Sequence, residues 1–74
     1  MLKFVYSVQY VPSGEFGPPF VATSGVHATR ILRSMLRDIP DLDRVDFKLF
    51  EIGQFDDQTG ELFVRDAIEE VDNE

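Results

Sequence analysis

The feature that most constrains this chain is its hydrophobic period, which switches from two to 3.6 and back to two. Over residues 2–11, Leu2, Phe4, Tyr6, Val8 and Tyr10 alternate with Lys3, Ser7 and Gln9. Alternation rich in aromatic and β-branched residues predicts a strand with one buried face. Pro12-Ser13-Gly14-Glu15-Phe16-Gly17-Pro18-Pro19 then breaks regular structure, because proline lacks a donor and glycine frees φ. Phe20-Val21-Ala22 reads as a short second strand, antiparallel to the first, with the prolines before it suited to a sheet edge. Thr23 or Ser24 can cap a following helix. Ala28, Ile31, Leu32, Met35, Leu36 and Ile39 share an arc of about 140° on it. Pro40 stops this helix by pushing Ile39 out of the α region, and residues 41–44 form a connector.

Val45 to Phe55 predicts a second long strand with a doubled pattern. Val45, Phe47 and Leu49 lie on one face, and Phe50 and Ile52 on the other. Either both faces are apolar, or a bulge near Leu49-Phe50 or at Gly53 flips the register. Asp56-Asp57-Gln58-Thr59-Gly60 is a tight turn, and Glu61-Leu62-Phe63-Val64 a short returning strand. The order is β-β-α-β-β. It implies an α+β fold, a small antiparallel sheet of three to four strands with one helix packed on one face.

With 74 residues and 8.5 kDa there is room for one core, and only about 60% of the chain's surface can be buried at this size. Two domains, a TIM barrel or a dinucleotide fold are excluded. A hydrophobic fraction of 43% with seven Phe argues for folding over disorder. The absence of cysteine removes disulfides and thiolate metal sites. No apolar run reaches the roughly 20 residues of a membrane span, and Met1–Ser7 lack the basic-then-apolar order of a signal peptide. A cytosolic protein without membrane contact is expected.

Seven basic against fourteen acidic residues give a net charge of −7. Asp66, Glu69, Glu70, Asp72 and Glu74 fall in the last nine positions, so residues 1–65 carry a net of only −2. This division predicts a folded domain over 1–65 and a frayed acidic tail over 66–74.

Little here suggests catalysis. One histidine and no cysteine leave His27 alone to serve any nucleophile, and it sits in the helix's first turn as a solvated residue. Asp56, Asp57 and Glu61 cluster in a turn, where acids are common for local hydrogen-bonding reasons. A calcium loop with Gly60 at its sixth position would put Phe55 at the first ligand position, which cannot coordinate an ion. The glycines of 13–17 match neither a Walker loop nor a dinucleotide fingerprint. No enzyme, metal or cofactor is expected.

The helix is more informative. Arg30, Arg33 and Arg37 project within about 60° of one another, opposite the apolar stripe, and no acid lies between Val26 and Arg37. Such a ridge is either a solvated face, with arginines chosen for helix propensity, or a surface for phosphates or an acidic protein, for which the 66–74 tail could itself compete. On the sheet face away from the helix, Val5, Phe50 and Ile52, with Val11 and Phe16, are candidates for exposure. A two-fold homodimer would cover them; stacking of single-stranded bases is the other use of such a face.

Glu15-Phe16-Gly17-Pro18-Pro19-Phe20, Ala28-Thr29-Arg30, and the run Leu49-Phe50-Glu51-Ile52-Gly53-Gln54-Phe55-Asp56-Asp57-Gln58-Thr59-Gly60 together resemble the small non-structural protein of gokushovirus-type microviruses. These are bacteriophages with circular single-stranded DNA, and the resemblance spans residues 2–64. It implies a DNA-binding protein, or a counterpart of the C protein that turns replication toward single-strand synthesis and packaging. It also implies single-stranded DNA and viral or host replication and packaging proteins as partners, in the host bacterial cytoplasm. It carries no catalytic residues.

Overall fold

A computed structural model of the protein describes residues 1–39 and 45–71. The elements are β1 (Leu2–Tyr10), β2 (Glu15–Phe16), β3 (Phe20–Ala22), the helix α1 (Gly25–Met35), β4 (Phe47–Asp56) and β5 (Leu62–Glu70). All strands pair antiparallel in one sheet. Its order is β2-β1-β4-β5, and β3 also pairs with β1. The α+β class with one helix holds, but the order gains a strand. β2 lies inside the Pro/Gly segment expected to be irregular, so the sequence of elements is β-β-β-α-β-β.

The prolines explain why β2 and β3 are separate. β1 pairs Gln9 with Phe16, then Tyr6 with Phe20, and the register slips between them. Pro18 and Pro19 cannot donate to a ladder. Ser7, buried at that break, donates its hydroxyl to the Gly17 carbonyl at 2.8 Å, and the Gly17 amide donates to the Val8 carbonyl at 2.8 Å. The hairpin turn before β2 places Gly14 at φ 75°, a region that costs glycine nothing.

The core forms between α1 and the sheet. Tyr6, Ala22, Ala28, Leu32, Leu36 and Leu49 are buried together, flanked by Phe4, Val8, Phe20, Ile31, Ile39, Phe47 and Val71. Phe4, Tyr6 and Val8 of β1 and five of the six residues of the helical arc are as the periodicities predict. Leu2 and Tyr10 at the strand's ends are exposed, whereas Val5 and Ser7 on its other face are buried. Met35 departs, at 53% exposure. Burial, with the Glu51 carboxylate adding to it, pushes the Tyr6 phenol above its ordinary pKa.

Ser24 caps α1, its side chain accepting from the His27 amide at 3.2 Å. The helix ends at Met35, with Leu36 as C-cap, one turn before the expected stop. From there i→i+3 bonds take over, Arg37 to Ser34 at 3.4 Å and Ile39 to Leu36 at 3.0 Å. Two causes favour this early tightening: Ile39 precedes a proline, and Asp38 puts a negative charge at the negative end of the helix dipole. The expected stop at Pro40 and the connector 41–44 lie outside the described residues.

β4 carries apolar groups on both faces, as the first alternative has it, and also bulges beside Gly53, the second of the two expected places. The pairing runs Val5 to Gly53 and then Tyr6 to Glu51, leaving Ile52 over. Phe47 and Leu49 thus face the helix, while Phe50, opposite Ser7, faces away. A Cβ on Gly53 would come within 2.4 Å of the Phe63 carbonyl oxygen, so only glycine allows β5 to lie this close. Val45 precedes the strand instead of opening it.

The tight turn at 56–60 is as expected. Asp56 accepts from the Gln58 amide at 2.9 Å, and Gly60 sits at φ 79°. Beyond it comes the main correction. β5 does not stop at Val64 but continues to Glu70, so residues 66–70 belong to the sheet instead of fraying, and the Val71 amide donates to the Leu49 carbonyl at 2.8 Å. Residues 72–74 of the expected tail lie outside the described residues.

Candidate nucleic-acid interface

Arg30 and Arg33 stand exposed on α1, and Arg37 is exposed in the turn just after its C-cap. The shortened helix therefore carries two of the three arginines, and the following turn carries the third. Their position follows from the amphipathic pattern: with Ala28, Leu32 and Leu36 buried against the sheet, the intervening residues are forced to the solvent side.

The helix is electrically graded along its length. Near its start, a hollow is bordered by Gly25, Glu51, Gln54, Arg65, Glu69 and Glu70. The arginines begin beyond the first turn, and Arg33 occupies the last turn. Acids near the N-terminal end and cations near the C-terminal end both favour the helix dipole. The acids of the second half are held on the sheet. Glu69 pairs with Arg65 at 3.0 Å, and Glu70 with Lys48 at 3.6 Å. The expected competition of this segment for the arginine ridge is not what its described acids do: Asp66, Glu69 and Glu70 lie on β5.

Beside the C-terminal half of α1 runs an open groove of about 650 Å³ between the helix and the β1–β3 segment. Its walls include Tyr10, Phe16, Pro19, Phe20, Met35 and Phe47, with Tyr10 and Phe47 in ring contact at 5.2 Å. Sequence reasoning missed this groove. The exposed Met35, off-pattern for a core residue, is one of its walls.

The other predicted surface is only partly open. Val5 is 6% exposed between its register neighbours Val21 and Gly53, which corrects its expected exposure. Phe50 and Ile52 are half-buried. Phe16 meets the edge of Phe50 at 5.5 Å, and the bulge at Ile52 bends β4, so this face is partly covered by the chain itself. Val11 and Phe16 are exposed.

His27 helps to close the start of the helix: its Nδ1 accepts from the Thr23 amide at 3.2 Å. Asp57 lies beside the N-terminal ammonium and Lys3, which in that order hold its carboxyl below the ordinary range. Among the described residues no group of three or more His, Asp or Glu is placed to hold a metal ion. No described helix is long and apolar enough to cross a membrane.

Comparison with known proteins decides the family. The family model described as Phage ORF5 protein matches residues 3–73. The chain belongs to the Phage ORF5 protein family. Nothing among the curated proteins and nothing among the solved structures matches it. Membership of this family supports a phage accessory function. The matched region takes in the Pro-Pro-Phe segment, the arginines of α1 and the whole of β5.

Proposed function

We propose that this protein is a non-enzymatic phage accessory protein that engages single-stranded DNA, or the replication and packaging complex holding it, through Arg30, Arg33 and Arg37. The observation that carries this reading is the acid-free run from Val26 to Arg37 with all three arginines exposed. The aromatic groove on the apolar side of the helix, lined by none of the three arginines, supports a single strand over a duplex. Unpaired bases can stack on aromatic walls while guanidiniums follow the phosphates, whereas duplex bases are already stacked. The narrower resemblance to the small protein of gokushovirus-type microviruses belongs to this reading, as does a role in turning replication toward single-strand synthesis in the host cytoplasm.

A second reading, a module that binds a replication or capsid protein without touching DNA, is favoured by the net charge of −7 and by the apolar character of the groove. The two separate in one assay. If DNA binds, replacing Arg30, Arg33 and Arg37 together by Ala removes most of the affinity, and a gel shift at low salt reads this directly. Wild-type protein that shifts no oligonucleotide, but is retained by a viral or host replication protein, establishes the second reading in its place.

A further inference from the structure

We propose that the outer edge of β5 is a self-pairing surface, and that two copies of the chain join there, antiparallel about a two-fold axis at Phe63. The proposal is independent of the DNA reading. β5 ends the sheet order, and among the described residues no strand pairs with its outer edge. Leu62, Phe63 and Val64 follow one another along it at 62%, 47% and 79% exposure. An exposed, apolar, regular edge is a template for another strand.

The ladder with β4 fixes which groups are free. The Asp56 amide donates to the Glu61 carbonyl at 2.9 Å, so Glu61 and, by alternation, Phe63 direct their backbone groups inward. Leu62 and Val64 direct theirs outward. An axis at Phe63 sets Leu62 of each copy against Val64 of the other, and both outward pairs close. It also places Phe63 against its own copy on the helix side of the sheet, in the closely spaced type of pair that suits aromatic contact.

Charge selects this register and a second copy as the occupant. With the axis at Phe63, Glu61 of each copy faces Arg65 of the other, whose guanidinium would be shared with its own Glu51 and Glu69. Moving the axis to Arg65 or Asp66 would oppose like charges. The strand also limits its own pairing. Between Val64 and Glu69 it bulges away from β4, and Arg65 ties that bulge, reaching Glu51, Glu69 and the Ala67 carbonyl. A bulge bends an edge out of line, so the acidic run beyond it takes no part. This self-complementarity is what a two-fold interface requires.

Sedimentation equilibrium on the full chain, from micromolar to near-millimolar concentration, tests it. A species of twice the 8.5 kDa chain mass is expected. Val64→Pro removes an amide that does not donate to β4, and the loss of two intersubunit bonds raises the dimer Kd about 30-fold. Glu61→Arg, which sets two arginine pairs against each other, raises it about tenfold. Far-UV circular dichroism checks that both variants fold; if Val64→Pro does not, Glu61→Arg decides alone. A monomer at all concentrations overturns the proposal. So does a dimer that folded variants leave as tight as wild type, which would place the contact on another face.

Discussion

β1 and β5 flank the same central strand, each with nine residues, and differ in what holds them. β1 is gripped on both edges and beneath α1, with Val5, Tyr6 and Ser7 all buried. Among the described residues β5 has one paired edge and no buried position, and Arg65 is its only half-buried one. It stays in place through a close backbone approach at Gly53, the ion pairs of Arg65 and the anchor of Val71. One half of the sheet thus supplies stability through apolar burial, and the other is tethered by polar links that leave its surface available. The difference teaches that a chain this small concentrates its core under a single helix and leaves the far side of the sheet exposed.

The sharpest way to break that comparison is to truncate one apolar residue in each half. Leu49 is fully buried, and Leu49→Ala is expected to cost about 3 kcal/mol of unfolding free energy in urea. Phe63→Ala, at a half-exposed position, is expected to cost about 1 kcal/mol or less. Equal costs would mean that the two halves share one core. Next comes Gly53→Ala, which crowds the Phe63 carbonyl. It is expected to cost about 2 kcal/mol and to increase hydrogen exchange in β5 more than in β1, since the clash falls on β5 alone. The smallest effect concerns the turn that joins the halves. Asp57, held low by the N-terminal ammonium and Lys3, contributes stability that is present above its unfolded pKa near 3.8 and lost as pH falls through the folded value. Thermal melts of wild type and Asp57→Asn should therefore differ slightly near neutrality and converge in acid.

How far each half was legible in the sequence follows from the same contrast. The core side of β1 and the start of α1 read directly, because Phe4, Tyr6 and Val8 keep a strict period and Ser24 acts on an amide three residues away. The burial of Val5 and Ser7 on the other side of β1 did not show in the alternation. The bulge of β4 was legible as a choice between two positions, and Gly53 marked the right one. The helix end was not, because i→i+3 bonds replaced the helical ones a turn before the proline. The far part of β5 was hidden for a deeper reason. Ala67, Ile68 and Val71 keep no period of two, and what secures this stretch is Arg65 reaching Glu51 and the Val71 amide reaching Leu49, contacts that no local window contains. Of the candidate site, the three arginines were visible as a spacing. The groove was not, because its walls come from β1, β2, the β2–β3 segment, α1 and β4.

The central functional claim is that the helix side grips a single strand while the β5 side does not. Amide chemical-shift mapping during titration with a short oligothymidylate tests it most directly. The account predicts shifts from Arg30 through Arg37 and along the groove walls at Tyr10, Phe16 and Phe20, with β5 amides unmoved. Shifts centred on Leu62–Glu70, or none at low salt, would contradict it.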